Sequence, residues 1–218
     1  MIMLPINRVQ QSSMSNKSER DIKILSCCNA PLGLALVIII FSMSSSVIYG
    51  QSNDYTVTSV RLDGHHIISV DGILDEPEWK AAAPATGFTV YEPDFGIPAR
   101  QNTRARFLYT DYGLYVGMEM LDDRPDSIFT DLSVRDDMGN SDWAGVIISP
   151  FNDGQNGFRF QVSAAGVQYD AKIINDNNDA SWDAVWYSKT GFTAEGWIIE
   201  ILIPWSAIRF PNFPAHTW

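Results

Sequence analysis

Short runs in which apolar and polar side chains alternate, separated by glycine-bearing turns, constrain this chain more than any other feature. Phe158, Phe160 and Val162 alternate with Arg159 and Gln161, and Trp197, Ile199, Ile201 and Ile203 alternate with Ile198, Glu200 and Leu202. Ala105, Phe107 and Tyr109 share a side opposite Arg104 and Arg106. A period of two belongs to a pleated strand with one face on a core and the other at least partly solvated. Asp111-Tyr112-Gly113, Asn152-Asp153-Gly154 and Ala164-Ala165-Gly166 each join two such runs, and their glycines are expected to take positive φ. The pattern predicts an all-β, antiparallel β-sandwich of about nine to eleven strands, with a helical turn near 206–208. Segments 91–103, 121–142 and 175–183 lack the alternation and are expected to be loops, which on a sandwich tend to carry function.

One short N-terminal helix interrupts the strands. In segment 70–88, V-D-G-I-L-D-E-P-E-W-K-A-A-A-P-A-T-G-F, Val70-Asp71-Gly72 reads as a strand ending in a turn. Asp75 is placed to cap a helix with Glu78 at its N3 position, and Leu74 and Trp79 have the spacing of a hydrophobic staple. Pro77 is tolerated in the first turn, and Pro84 stops the helix after three alanines. The spacing therefore predicts a helix over 75–83, fixed to the strands by Trp79.

Residues 1–50 and 51–218 are different materials. Lys17, Arg20 and Lys23 precede an apolar run over 31–41, followed by serines and Ile48-Tyr49-Gly50. That is the layout of a signal peptide cleaved after Gly50. A retained membrane anchor is the alternative, but a spanning helix needs about 20 apolar residues, and the serines interrupt this one. Both cysteines, Cys27 and Cys28, lie before the apolar run. Residues 51–218 therefore offer no disulfide, thiolate zinc site or cysteine nucleophile, and must fold as one domain on core packing alone. The whole chain carries a net charge of −11; without the four basic and two acidic residues of 1–50, 11 Lys+Arg face 24 Asp+Glu, a net of −13. Such a surface repels phosphate backbones, which removes nucleic acid from the expected partners, and it suits neutral sugars or cations.

Segment 70–88 resembles the opening of the family 9 carbohydrate-binding-module-like domains. Residues 106–122 (R-F-L-Y-T-D-Y-G-L-Y-V-G-M-E-M-L-D) are similar to that family's strand–turn–strand pattern, 141–170 to its central hairpin, and 196–210 to its last strand and helical turn. The subgroup most alike forms the N-terminal domain of large bacterial envelope proteins, some of them described as hydrolases. The resemblance implies a recognition module acting in saccharide binding and breakdown, exported to the periplasm or outer membrane or secreted. It implies two partners, an oligosaccharide or polysaccharide and a C-terminal remainder of the same polypeptide, because the family pattern continues past Trp218. The family's best understood members hold a sugar between two tryptophans. The first of these positions falls on Met138, four residues before Asp142, and the second beyond Trp218.

Sugar rings stack their C–H faces on aromatic rings, and their hydroxyls need carboxylates, amides and arginines. Trp79, Trp197 and Trp205 sit in core-facing patterns. Trp143, Trp182 and Trp186 lie in or beside polar loops and are the candidate platforms. Asp142 and Asp183 are the candidate hydroxyl acceptors and Arg135 the candidate donor, on a surface built from 136–143 and 175–186. The acidic loops suggest a structural calcium, which the family resemblance also implies, with Asp136, Asp137, Asn140 and Asp142 as ligands.

Other chemistries find less support. Glycoside hydrolysis needs two carboxyls across a cleft, one with a raised pKa, and no spacing singles out such a pair, so no catalytic residue is assigned. Glu200, alternating within an apolar strand, is read as a structural hydrogen-bond acceptor or the partner of an arginine such as Arg106 or Arg209. Haem held by Met118, Met120 or Met138 with a histidine lacks any C-x-x-C-H motif. Two further classes stay open beside the binding module: the non-catalytic part of a glycoside hydrolase, and a docking domain for an outer-membrane β-barrel with no sugar affinity.

Overall fold

The computed structural model describes residues 56–63, 68–213 and 216–218. The expected export signal in 1–50 lies outside these. In chain order the elements are β1 (Val60–Arg61), α1 (Pro77–Ala81), β2 (Thr103–Tyr109), β3 (Gly113–Leu121), β4 (Trp143–Ile148) and β5 (Asn156–Ser163). There follow β6 (Gln168–Ile174), β7 (Asn177–Asp179), β8 (Tyr187–Thr193) and β9 (Gly196–Pro204). Short 3-10 turns occupy Pro125–Ser127 and Trp205–Ala207, the second one residue earlier than the spacing predicts.

The strands form two sheets, β1-β2-β3-β9-β8 and β4-β5-β6-β7. All neighbours are antiparallel except β1 and β2. The alternating faces meet as expected. Val116, Met118, Ile199 and Ile201 of the first sheet share one buried cluster with Phe158, Phe160 and Val162 of the second. Burying side chains of this size contributes about 1.5–3 kcal/mol each, which is what holds a thiol-free domain together.

The helix is shorter than the spacing suggests. It spans Pro77–Ala81, its N-cap is Glu76, and no side chain caps it. A residue before proline is driven to extended backbone, and Glu76 has ψ 137°. Asp75 therefore cannot serve as the cap, and the Glu76 carboxylate accepts the Ser69 N–H instead, at 2.9 Å. Trp79 performs the expected anchoring. It is 2 % exposed and joins a second cluster with Ile68, Leu108, Tyr115 and Leu202 on the outer face of the five-stranded sheet. Gly117 makes room for it, since a Cβ there would lie 2.6 Å from Leu74 and 3.0 Å from the Trp79 ring.

Of the three turn glycines, Gly154 and Gly166 take positive φ, 66° and 82°. Gly113 does not, and is required for a different reason: a Cβ there would sit 2.5 Å from the Ile203 carbonyl oxygen of β9. Segment 175–183, expected to be irregular, contains β7, whose three polar residues are all exposed and pair only with the end of β6.

Candidate functional site

The six ligand-binding candidates fall into three places. Arg135, in the loop between β3 and β4, binds the Asp170 carboxylate of β6 and donates to Asp183 and to the Ala184 carbonyl, each at 3.1 Å. Asp170 is fully buried and also accepts the Ala184 N–H at 2.8 Å and the Trp186 indole N–H at 3.0 Å. This knot ties segment 183–186 to β6. Within it Trp186 is a core residue, 4 % exposed, with its ring edge-on to Phe160 at 5.3 Å and no face left for a sugar. Asp183 is exposed but shares its charge with Arg135.

Trp182 lies outside the knot. Its half-buried ring packs on Phe158 at 5.1 Å and on Phe160 at 5.9 Å. Together with Asp183, Lys172, Ser206 and Arg209 it lines a cleft of about 340 Å³.

Trp143 and Asp142 occupy a third place, at the start of β4, where Trp143 points to the side of the four-stranded sheet that faces away from the core. The Asp142 carboxylate accepts the Phe129 N–H at 3.0 Å and pins the loop base. Trp143 donates its indole N–H to the Met138 carbonyl at 2.6 Å, and its ring lies edge-on to Tyr169 at 6.5 Å. Met138, where the resemblance expects a platform, thus supplies a backbone acceptor under Trp143.

The register carries that outward face onward from Trp143. Trp143 pairs with Ser163, Gly145 with Gln161 and Ile147 with Arg159; Gln161 in turn pairs with Tyr169. Arg159 is 9 % exposed and Gln161 7 % exposed, yet Arg159 Nε and Gln161 Oε1 have no hydrogen-bond partner. No ion pair to Arg159 exists among the described residues, and burial lowers its pKa from the ordinary guanidinium value, opposed by the neighbouring Tyr169. Buried charges are ordinarily paired, because an isolated one is costly to desolvate. On the non-core side of the sheet, Arg159 and Gln161 thus each keep a buried polar atom that no described protein group satisfies.

The four expected calcium ligands are turned to different protein partners. Asp136 accepts the Asp170 N–H and pairs with Arg135, and Asp137 accepts the Gly139 N–H. Asn140 donates to Asp131, while Asp142 serves Phe129. Among the described residues no three His, Cys, Asp or Glu side chains converge as a metal site.

The family model described as carbohydrate family 9 binding domain-like matches residues 70–216. The chain belongs to that family. Two solved structures of a carbohydrate binding module family 9 from Caldicellulosiruptor kristjanssonii are similar to it. The complex with cellotriose shows 18% identity and a TM-score of 0.47 over 71% of this chain and 69% of that one. The complex with glucose shows 16% identity and the same TM-score over 71% and 72%. No curated protein sequence matches the chain.

Sequence reasoning about this family 9-like domain misses Asp170, Arg159 and Gln161 as site residues. For Asp170 a signal exists. It pairs with core-facing Phe160 across β5 and β6, so its carboxylate must enter the interior and find donors there. Alternation does put Arg159 and Gln161 on the correct side, but it carries no information on whether that side is wet.

Proposed function

We propose that this domain is a non-catalytic saccharide-recognition module of a larger exported envelope protein, and that it contacts carbohydrate on the outward face of the four-stranded sheet. One observation carries the reading: Arg159 and Gln161 are more than nine-tenths buried there with polar atoms unspent. A guanidinium donates to hydroxyl or ring oxygens, an amide carbonyl accepts hydroxyl protons, and the Trp143–Tyr169 pair offers aromatic surface beside them. Family membership supports the same class of ligand. The leader composition of 1–50 supports export.

Catalysis by this domain is not part of the proposal. Among the described residues the carboxyl with a strongly raised pKa is Glu200, which is 1 % exposed and holds backbone N–H groups beneath a turn. It has no route to a substrate.

The test is calorimetric titration of the chain with soluble gluco-, xylo- and manno-oligosaccharides, repeated with Arg159→Met and Gln161→Ala. The expected result is binding to at least one of them that weakens about tenfold or more in each variant. Affinity indifferent to both substitutions, or none for any sugar, overturns the proposal.

A further inference from the structure

The cleft beside Trp182 is a separate place from the Arg159 face, on the other side of the four-stranded sheet. Phe158, at its base, belongs to the core cluster, and Lys172 pairs with Phe158 across β5 and β6. Lys172 therefore projects from the same side as Phe158, next to the Trp182 ring. Arg209 joins from the chain after β9.

The charge of this cleft runs against that of the protein. Residues 51–218 carry more than two carboxylates for each cation, and Arg61, Arg100, Arg106 and Arg135 each hold at least one. Arg209 holds none among the described residues. Lys172 lies opposite Asp179 across β6 and β7 without forming an ion pair; that carboxyl is held low first by its hydrogen bonds from Ser181 and only last by the lysine charge. Asp183, the acidic group of the lining, shares Arg135 with Asp136 and Asp170, which leaves one carboxylate against the two cations of the cleft. A half-buried indole backed by Phe158 thus sits between two cations with spare donors, in a volume within the ~300–1,000 Å³ span of small-ligand sites.

We infer that this cleft binds a saccharide bearing an anionic substituent. The pyranose face stacks on Trp182, and the carboxylate or sulfate is taken by Arg209 in fork geometry with Lys172 as a second, point-like charge. The inference goes beyond the saccharide contact proposed above for the Arg159 face.

The test uses the whole chain and three probes: a hexuronate trisaccharide, its methyl ester, and a sulfated oligosaccharide of similar length. Wild type, Arg209→Gln, Trp182→Ala and Arg159→Met are compared at low and high salt. The expected result is that an anionic probe binds at least tenfold tighter than the neutral ester. That preference collapses in Arg209→Gln and with salt, but survives in Arg159→Met. Whichever anionic arm shows it identifies the substituent. Equal binding of the ester, or a preference unchanged in Arg209→Gln, overturns the inference. Loss in Arg159→Met but not in Arg209→Gln transfers the ligand to the other face and leaves the proposed function standing. Since Trp182 packs on core residues, folding of every variant is checked by its melting curve, and Arg209→Gln, an exposed change, decides the outcome.

Discussion

The Glu200 carboxylate accepts the N–H of Gly72, 128 positions earlier in the chain, at 2.7 Å. The same oxygen takes the Asp71 N–H at 2.8 Å, and the other oxygen has no partner. Through this contact β9 holds the turn that leads into α1. Gly72 is required beneath it, with φ +91° and room for no Cβ, which would lie 2.8 Å from the Thr190 carbonyl oxygen.

Burial raises the Glu200 pKa from 4.5 to about 7, against the lowering effect of the two N–H donors. The folded protein therefore holds a proton that the unfolded chain releases near 4.5. The stability contributed by this group is full below that pH and is lost as pH rises through about 7. The whole swing is roughly 3 kcal/mol. Urea denaturation at pH 5 and pH 8 should show the domain weaker at pH 8, and Glu200→Gln should remove most of that difference. Equal pH slopes for wild type and variant would refute the assignment.

Trp79 and Gly117 are two halves of one contact. Trp79→Ala empties a buried site and should cost about 3–5 kcal/mol. Gly117→Ala forces a methyl against Leu74 and the indole and should cost about 1–3 kcal/mol. Thermal melts of both single variants and of the double variant check this, with the double falling well short of the sum because the cavity accepts the methyl.

Arg159→Met should raise the melting temperature while lowering saccharide affinity. Removing a buried, unpaired charge relieves desolvation, an effect that reaches about 1–4 kcal/mol when packed apolar groups replace buried ions. A variant less stable than wild type would mean that the guanidinium has a partner in the folded protein.

Asp170→Asn should destabilise by about 1–3 kcal/mol, since a side-chain amide has one acceptor oxygen where the carboxylate accepts from Arg135, the Ala184 N–H and the Trp186 indole N–H. Hydrogen exchange at the Ala184 amide and the Trp186 indole should accelerate ahead of the strands. Unchanged protection at both sites would show that segment 183–186 is held by other means.

Calcium chelation tests the structural ion: Asp137 and Asp142 each accept one protein N–H on one carboxylate oxygen, and a melting temperature unchanged by chelator would remove the ion from the reading. A clear drop on adding chelator, reversed by calcium, would establish a structural ion.

Sandwich, core faces and the Trp79 anchor are legible in the sequence because alternation and turn chemistry are local. The helix cap is displaced by one residue, from Asp75 to Glu76, because the capping pattern at Asp75 competes with the backbone restriction that Pro77 imposes on Glu76, and the restriction wins. Trp186 is legible only as a tryptophan near polar residues. Its burial depends on Asp170 and Phe160, whose positions relative to it are set by sheet pairing. The orphaned state of Arg159 is less legible still, because it rests on the absence of a carboxylate across two neighbouring strands and a loop.

The two borders of the four-stranded sheet are unequal. At one margin β7 is three residues of Asn and Asp, all in water; at the other, β4 presents Trp-Ala-Gly-Val-Ile-Ile with no second strand beside it among the described residues. Growth of this layer by an incoming backbone is therefore directional. Hydrated amides and a carboxylate repel it on the β7 margin, while the β4 margin offers a long greasy template, so fibrillar self-assembly would begin there and a lysine introduced at Ile147 would blunt it.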